Sequence, residues 1–166
     1  VELPLSVNIT VAEIGPELEK RIDAFLDSPG GQGAHLFLEL TERAMLLNAD
    51  NVTPTLERLR SRGIGLALDD FGVGYASLSV LQEFPFKGLK VDRSFVSKLE
   101  TAPRHVGIVR ALMHLSQALD LTIVAEGIET EGQLRALVDL GCSLGQGYLL
   151  GRPMPLQDFE SRLLAL

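Results

Sequence analysis

The chain has 166 residues, of which 46% are hydrophobic and 22% charged, a composition typical of one globular domain with a sizeable core. Its 22 acidic and 15 basic residues give a net charge of −7, which argues against a protein that binds polymeric nucleic acid non-specifically. A single cysteine rules out a disulfide framework, and no apolar run reaches the ~18 residues of a membrane span. We therefore expect a cytoplasmic segment, or the cytoplasmic part of a membrane-attached sensor, without membrane contact of its own.

In chain order, short apolar runs alternate with stretches of helical periodicity. The predicted strands cover residues 3–9, 36–40, 64–68, 88–92, 122–126 and 144–150. The predicted helices cover residues 16–26, 51–62, 105–119, 131–140 and 156–166. Such alternation favours an α/β fold with a parallel sheet and right-handed crossovers.

Polar residues fall repeatedly at the carboxyl ends of the predicted strands. They are Asn8, Glu39, Asp69, Asp70, Asp92 and Glu126. In a (β/α) barrel these ends converge on one rim, whereas an open doubly wound sheet spreads them along an edge. We therefore predict a TIM-like (β/α) barrel whose rim offers oxygen ligands to a hard cation. The alternative is a set of scattered, solvated acids at strand ends.

The adjacent carboxylates of Asp69 and Asp70 lead into a loop with two glycines, Gly72 and Gly74. Two carboxylates at the end of a buried strand repel each other unless a cation lies nearby. A dinucleotide-binding fingerprint is rejected, because Ser77 stands in place of its third glycine and the acids would repel a pyrophosphate. The plain alternative is a solvated strand end followed by a turn.

Six runs of the sequence carry a family resemblance, in order: SVNIT, LELTE, LALDDFGVGY, LKVDRSFV, IVAEGIET and GCSLGQGY-LLGRPMP. Together they resemble the EAL-domain family, the bacterial cyclic di-GMP phosphodiesterases, over essentially the whole chain. The resemblance implies a TIM-like barrel with one antiparallel strand. It also implies that two Mg²⁺ or Mn²⁺ ions support hydrolysis of one phosphodiester bond of cyclic di-GMP, giving linear pGpG.

The resemblance extends to individual metal ligands. Those it implies are Asn8, Glu39, Asp69, Asp70 and Asp92. The first three would hold one ion, and Asp69 would bridge to a second ion near Asp70, Asp92 and Glu126.

Further roles follow from the same resemblance. Lys90 resembles the lysine that orients the attacking water and the phosphate, and its plain alternative is a strand-end lysine that neutralises Asp92. Glu126 is similar to the glutamate that acts as general base or water ligand, and Glu42 to one that braces the loop at 71–77. The implied substrate-binding residues are Gln146, Arg152 and Pro153.

Two departures from the family pattern bear on activity. The Glu-Ala-Leu signature does not occur ahead of Asn8, so residues 1–166 resemble the C-terminal two-thirds of the domain, with the barrel incomplete at the N-terminus. Val73 stands where the family usually has a small hydroxyl residue. We expect residues 1–166 alone to be inactive and to self-associate through exposed sheet edges.

The partners implied are cyclic di-GMP, a second copy of the chain in a homodimer, and an upstream regulatory or diguanylate-cyclase-like domain. The alternative function is a catalytically inactive EAL module that binds cyclic di-GMP or docks a protein. We favour the enzyme, because inactive relatives usually lose metal ligands and those visible here are retained.

Overall fold

The computed structural model describes residues 4–73 and 78–163, in which strands and helices alternate. The strands are β1 (Pro4–Asn8), β2 (His35–Thr41), β3 (Gly65–Phe71), β4 (Gly88–Val91), β5 (Thr122–Ala125) and β6 (Leu144–Gly145). The helices are α1 (Pro16–Leu26), α2 (Glu42–Ser61), α3 (Leu78–Glu83), α4 (Arg93–Val96), α5 (Pro103–Ala118), α6 (Glu131–Asp139) and α7 (Leu156–Leu163), with a 3-10 turn at Val11–Glu13. Within these residues, no helix has both the length and the apolar character needed to cross a bilayer.

The six strands form one sheet in which every neighbouring pair is parallel and the order β1-β2-β3-β4-β5-β6 follows the chain. A doubly wound sheet reverses its strand order at a switch point, whereas the wall of a (β/α) barrel does not. The predicted class, an incomplete TIM-like barrel, is therefore confirmed. Because every described pair of strands is parallel, the antiparallel strand that the resemblance implies is not among β1 to β6.

The two faces of the sheet differ in chemistry because side chains alternate along each strand. One face carries leucines such as Leu38, Leu66 and Leu89, each at most 2% exposed, and the helices pack on it. The opposite face carries Glu39 and Lys90, both buried. The apolar core therefore lies between strands and helices, and the inner face of the sheet is free to hold charged groups.

A β-bulge interrupts the pairing of β3 with β4. Leu68 pairs with Leu89 and Phe71 with Val91, so Asp69 and Asp70 together stand opposite one residue. Asp70 has a φ of 56°, in the left-handed region that few non-glycine residues adopt. The bulge lets two consecutive acids contribute to one rim, where a regular strand would send them to opposite faces.

Several elements differ from the prediction: β3 extends to Phe71, and the short helices α3 and α4 were not predicted. Helix α2 begins at Glu42 and runs through Pro54, which the sequence pattern had placed in a first helical turn. Strand β6 ends at Gly145 instead of continuing to residue 150, since the chain then bonds to the segment after β5, with Leu149 N donating to Ile128 O at 3.0 Å. Helix α7 starts at the predicted residue, and residues 164–166 lie outside the described part.

A pair of glycine substitutions tests this packing. A Cβ on Gly147 would lie 2.1 Å from Ile128 O, so Gly147→Ala should push the chain off Ile128 and lower the free energy of unfolding by about 1–3 kcal/mol. Gly107, inside α5, has nothing within 4 Å of an added Cβ, so Gly107→Ala should raise stability by about 0.5–1 kcal/mol. Urea denaturation measures both. Equal effects of the two substitutions would contradict the close approach at Gly147.

Candidate functional site

The side chain of Lys90 lies on β4 at the centre of a carboxylate cluster and is 7% exposed. Its Nζ is 2.5 Å from Glu39 Oε2 and 2.6 Å from Glu126 Oε1, with Asp69 Oδ1 at 3.4 Å. The three acids come from β2, from the residue after β5 and from β3. A buried cation is tolerated only when it is paired in this way, so Lys90 fixes the ends of these elements relative to one another.

The acids of the β3 bulge lie beside this cluster. Asp69, Asp70 and Glu126 can each bring one carboxylate oxygen within 4.8 Å of the other two. Asp69 Oδ1 also accepts a hydrogen bond from Asp70 N at 3.0 Å, which stabilises the left-handed turn. Oxygen atoms this close together form a donor set suited to a hard divalent cation.

Burial and mutual repulsion perturb the protonation of the cluster. Burial lowers the pKa of Lys90, but hydrogen bonds to Glu126 and Glu39 outweigh this and raise that pKa above its usual value. Burial raises the pKa of Asp70, and the charges of Asp69 and Asp92 raise it further. Burial also raises the pKa of Glu126, despite the hydrogen bond from Lys90. Negative charge at the rim thus exceeds what one lysine offsets, and a bound cation would relieve it.

The remaining predicted ligands also lie at strand ends. Asn8 is exposed at the end of β1, and its Cα pairs with that of Glu39. Asp92 follows β4, and its Oδ1 accepts a hydrogen bond from Ser94 N at 2.8 Å as the N-cap of α4. Lys90 thus forms its ion pairs with Glu39, Asp69 and Glu126, while Asp92 caps a helix, so the plain alternative for Lys90 is not favoured.

Glu42 is the first residue of α2 and is 4% exposed. Of the loop it was predicted to brace, the structure describes Phe71, Gly72 and Val73, and residues 74–77, including Gly74 and Ser77, lie outside the described part. Val73 is 58% exposed. The bracing role stays a prediction.

A cavity of about 700 Å³ opens beside the acids. Asp70, Asp92 and Glu126 line it together with the three predicted substrate-binding residues, which are Gln146, Arg152 and Pro153. The structure thus brings six of the predicted site residues to one cavity. A ligand in this cavity would be close to the guanidinium group of Arg152 and also to the acidic rim.

Sequence reasoning missed several residues that line the cavity. They include Arg93, Tyr148, Phe159 and Arg162, and also Glu129, for which the sequence indicated no role. The guanidinium carbon of Arg152 lies 4.7 Å from the centroid of the Tyr148 ring, within cation–π range. The run that ends in GQGY contains Tyr148 and could have pointed to it, but no local pattern marks Phe159 or Arg162, which reach the cavity from α7.

Comparison with known proteins gives a family match and close relatives. The family model for the EAL domain matches residues 1–153. The cyclic di-GMP phosphodiesterase RocR of Pseudomonas aeruginosa is 41% identical over 156 residues, covering 93% of this chain and 40% of RocR. The cyclic di-GMP phosphodiesterase NbdA of the same organism is 42% identical over 164 residues, covering 98% of this chain and 21% of NbdA. The chain therefore spans less than half the length of these curated relatives.

Solved structures share the fold over nearly the whole chain. The EAL domain of Mycobacterium smegmatis DcpA matches with a TM-score of 0.88 and 33% identity, covering 98% of this chain and 74% of that domain. The structure of the PaMucR phosphodiesterase in complex with c-di-GMP matches with a TM-score of 0.81 and 38% identity, covering 94% of this chain and 64% of the chain in that structure. The curated MucR of Pseudomonas aeruginosa is 46% identical over 125 residues, which are 75% of this chain and 18% of MucR.

Klebsiella pneumoniae BlrP1, solved with manganese and cyclic di-GMP, matches at a TM-score of 0.82 and 30% identity, covering 92% of this chain and 39% of BlrP1. A family match over most of the chain, a shared fold and the acidic rim of a parallel barrel wall all agree with the resemblance first seen in the motifs. This chain belongs to the EAL-domain family.

Proposed function

We propose that the domain containing this chain is a metal-dependent phosphodiesterase that hydrolyses cyclic di-GMP to linear pGpG. The observation that carries the proposal is that Glu126, one of the acids paired with Lys90, also lines a cavity together with Gln146 and Arg152. RocR and NbdA, which are named cyclic di-GMP phosphodiesterases, support it by their identity to this chain. Residues 1–166 would form the C-terminal two-thirds of that domain.

The donor atoms fit divalent metal ions. They are hard oxygens, and one oxygen each of Asp69, Asp70 and Glu126 lie within 4.8 Å of one another. The carboxylates of the cluster outnumber its one lysine, so the cluster carries net negative charge. Asn8, Glu39 and Asp69 would hold one ion, and Asp69 would also serve a second ion near Asp70, Asp92 and Glu126. When bound, Mg²⁺ or Mn²⁺ would neutralise phosphate charge and make water a stronger nucleophile.

Lys90 and Glu126 would then act on the attacking water. The ammonium group of Lys90 has three donors, of which two are directed to Glu39 and Glu126. The third lies on the side of Asp69 and can orient a water molecule or a phosphate oxygen. Glu126, held by Lys90 and lining the cavity, would accept the proton of that water as general base.

The substrate would occupy the cavity beside the rim. Gln146 would hydrogen-bond the nucleotide, and Arg152, next to Pro153 at the edge, would contribute positive charge to a dianionic ligand. Two phosphates and two purine bases require both an acidic, metal-binding region and a cationic, aromatic one. The cavity offers both.

Assembly is part of the same proposal. Val73, in the loop, is 58% exposed, and Leu78, directly after the loop, is 54% exposed, so apolar surface is available where two copies would pair. An upstream regulatory or diguanylate-cyclase-like domain is supported by MucR, which is named a bifunctional diguanylate cyclase and cyclic di-GMP phosphodiesterase.

The first prediction concerns the bridging acid and the metal. In the full-length protein, Asp69→Asn should reduce hydrolysis of cyclic di-GMP to background, while Asp139→Asn on the exposed face of α6 should not change it. Mn²⁺ and Mg²⁺ should support turnover, and Ca²⁺ should support binding with poor turnover because it is larger and less strict in geometry. Chromatographic detection of pGpG measures this. If the wild-type protein bound cyclic di-GMP but formed no product, the phosphodiesterase would be contradicted and the non-catalytic binding module would be favoured.

The second prediction concerns the buried cation. Lys90→Met should lower the metal-free stability by about 3 kcal/mol, because it leaves Glu39 and Glu126 without their counter-ion. Mn²⁺ should then raise the Tm of the variant more than that of the wild type. Lys87→Met, at an exposed position just before β4, is the control. It should change neither the metal-free stability nor the rise in Tm that Mn²⁺ produces. Thermal denaturation with and without Mn²⁺ measures both effects. An unchanged metal-free Tm for Lys90→Met would contradict the role of Lys90 as counter-ion.

The third prediction concerns the loop after β3. Glu42→Ala should reduce turnover about 10- to 100-fold, as the loss of a group that orients the site does, and should weaken dimerisation. Glu57→Ala, an exposed position of the same helix, should be silent. Steady-state kinetics and analytical ultracentrifugation measure the two effects. If Glu42→Ala left both unchanged, the bracing role would be wrong.

A further inference from the structure

Helix α7 lies beside the cavity. None of its residues is buried, and Leu156 is 70% exposed. Two of its side chains, Phe159 and Arg162, line the cavity, and their spacing of three residues places them on one face of the helix. Both follow residue 153, where the family match ends. That face therefore connects α7 to the site.

Arg162 makes one such connection. Its Nη2 donates to Leu150 O at 2.7 Å, a hydrogen bond from a charged donor. A Cβ added to Gly151 would lie 3.1 Å from Arg162 Nη1, so the guanidinium also packs against that residue. Arg162 therefore ties α7 to the segment that leads into Arg152.

That segment is a tight turn. Leu150 N and Gly151 N both donate to Gly147 O, at 3.1 and 3.0 Å. Tyr148 lies inside the turn and Arg152 directly after it, and their side chains stack at 4.7 Å. Holding the Leu150 carbonyl thus fixes the turn that presents the stacked pair to the cavity.

We propose that α7 forms one wall of the nucleotide site and that Arg162 is a positioning residue for the turn at residues 147–151. The ligand class is a purine nucleotide. The stacked Tyr148 and Arg152 offer a flat, cationic surface, and Phe159, 43% exposed, offers an aromatic ring to a base. The inference rests on the proposed function for the identity of the nucleotide.

The test uses the full-length protein and cyclic di-GMP as the probe, with Ca²⁺ present to limit turnover. Arg162→Gln removes the charged donor and should weaken binding about tenfold by calorimetry. Arg162→Lys retains a charge and a donor and should recover part of the affinity. Phe159→Ala should weaken binding as well. Arg135→Gln, an exposed arginine of α6 that does not line the cavity, is the matched control and should bind as the wild type does.

Two further readouts separate positioning from damage to the fold. The affinity for Mn²⁺ depends on the acidic rim and should stay within about twofold of the wild type in Arg162→Gln. In Mn²⁺, KM for cyclic di-GMP should rise while kcat is retained, because the contact acts on binding and not on the reacting groups.

The inference is overturned if Arg162→Gln binds cyclic di-GMP as well as the wild type does, or if Mn²⁺ affinity falls in parallel. If the wild-type protein binds the nucleotide but does not hydrolyse it, the proposed phosphodiesterase activity is contradicted. The ratio of variant to wild-type Kd still tests whether α7 and Arg162 position the binding site. A wild type that binds no cyclic di-GMP overturns both.

Discussion

The site depends on one ammonium group that is buried among carboxylates. Removing a lysine from water costs several kcal/mol unless anions surround it, and here Glu39 and Glu126 lie within 2.6 Å of Nζ. These anions come from elements distant in sequence, so the ion pairs of Lys90 also hold β2 and the segment after β5 in place relative to β4. The same ion pairs therefore arrange the rim and stabilise the inner face of the sheet.

The inner face can be polar because the leucine face carries the hydrophobic core. Leu66 and Leu68 are 0% exposed beneath the helices, and Glu39 and Lys90 occupy the opposite side of the same sheet. In a parallel barrel wall the polar positions nearest the carboxyl ends meet at one rim. The remainder of the cavity is supplied by loops and by α7, which contribute arginine and aromatic side chains.

Much of this arrangement could be predicted from the sequence. Alternation of apolar runs and amphipathic stretches indicated a parallel α/β fold, and acids following strands indicated a rim, because both are local patterns. The start of α2 was missed because the apolar spacing of Leu56 and Leu59 marks only the second half of the helix, which begins at Glu42 and contains Pro54. The contact between Arg162 and Leu150 joins residues in different elements, so no local pattern could reveal it. Nor could the bulge be predicted, since it exists only in the register of β3 against β4.

That bulge has a consequence for the length of the chain. After the extra residue, Phe71 pairs with Val91 and shares its buried face, at 4% and 0% exposure. Deleting one residue between Leu68 and Phe71 would restore a regular ladder, but it would remove a carboxylate from the rim. Inserting one would move Phe71 out of register with Val91. This part of β3 is therefore constrained in its number of residues as strongly as in their identity, and homologous domains should vary in length elsewhere.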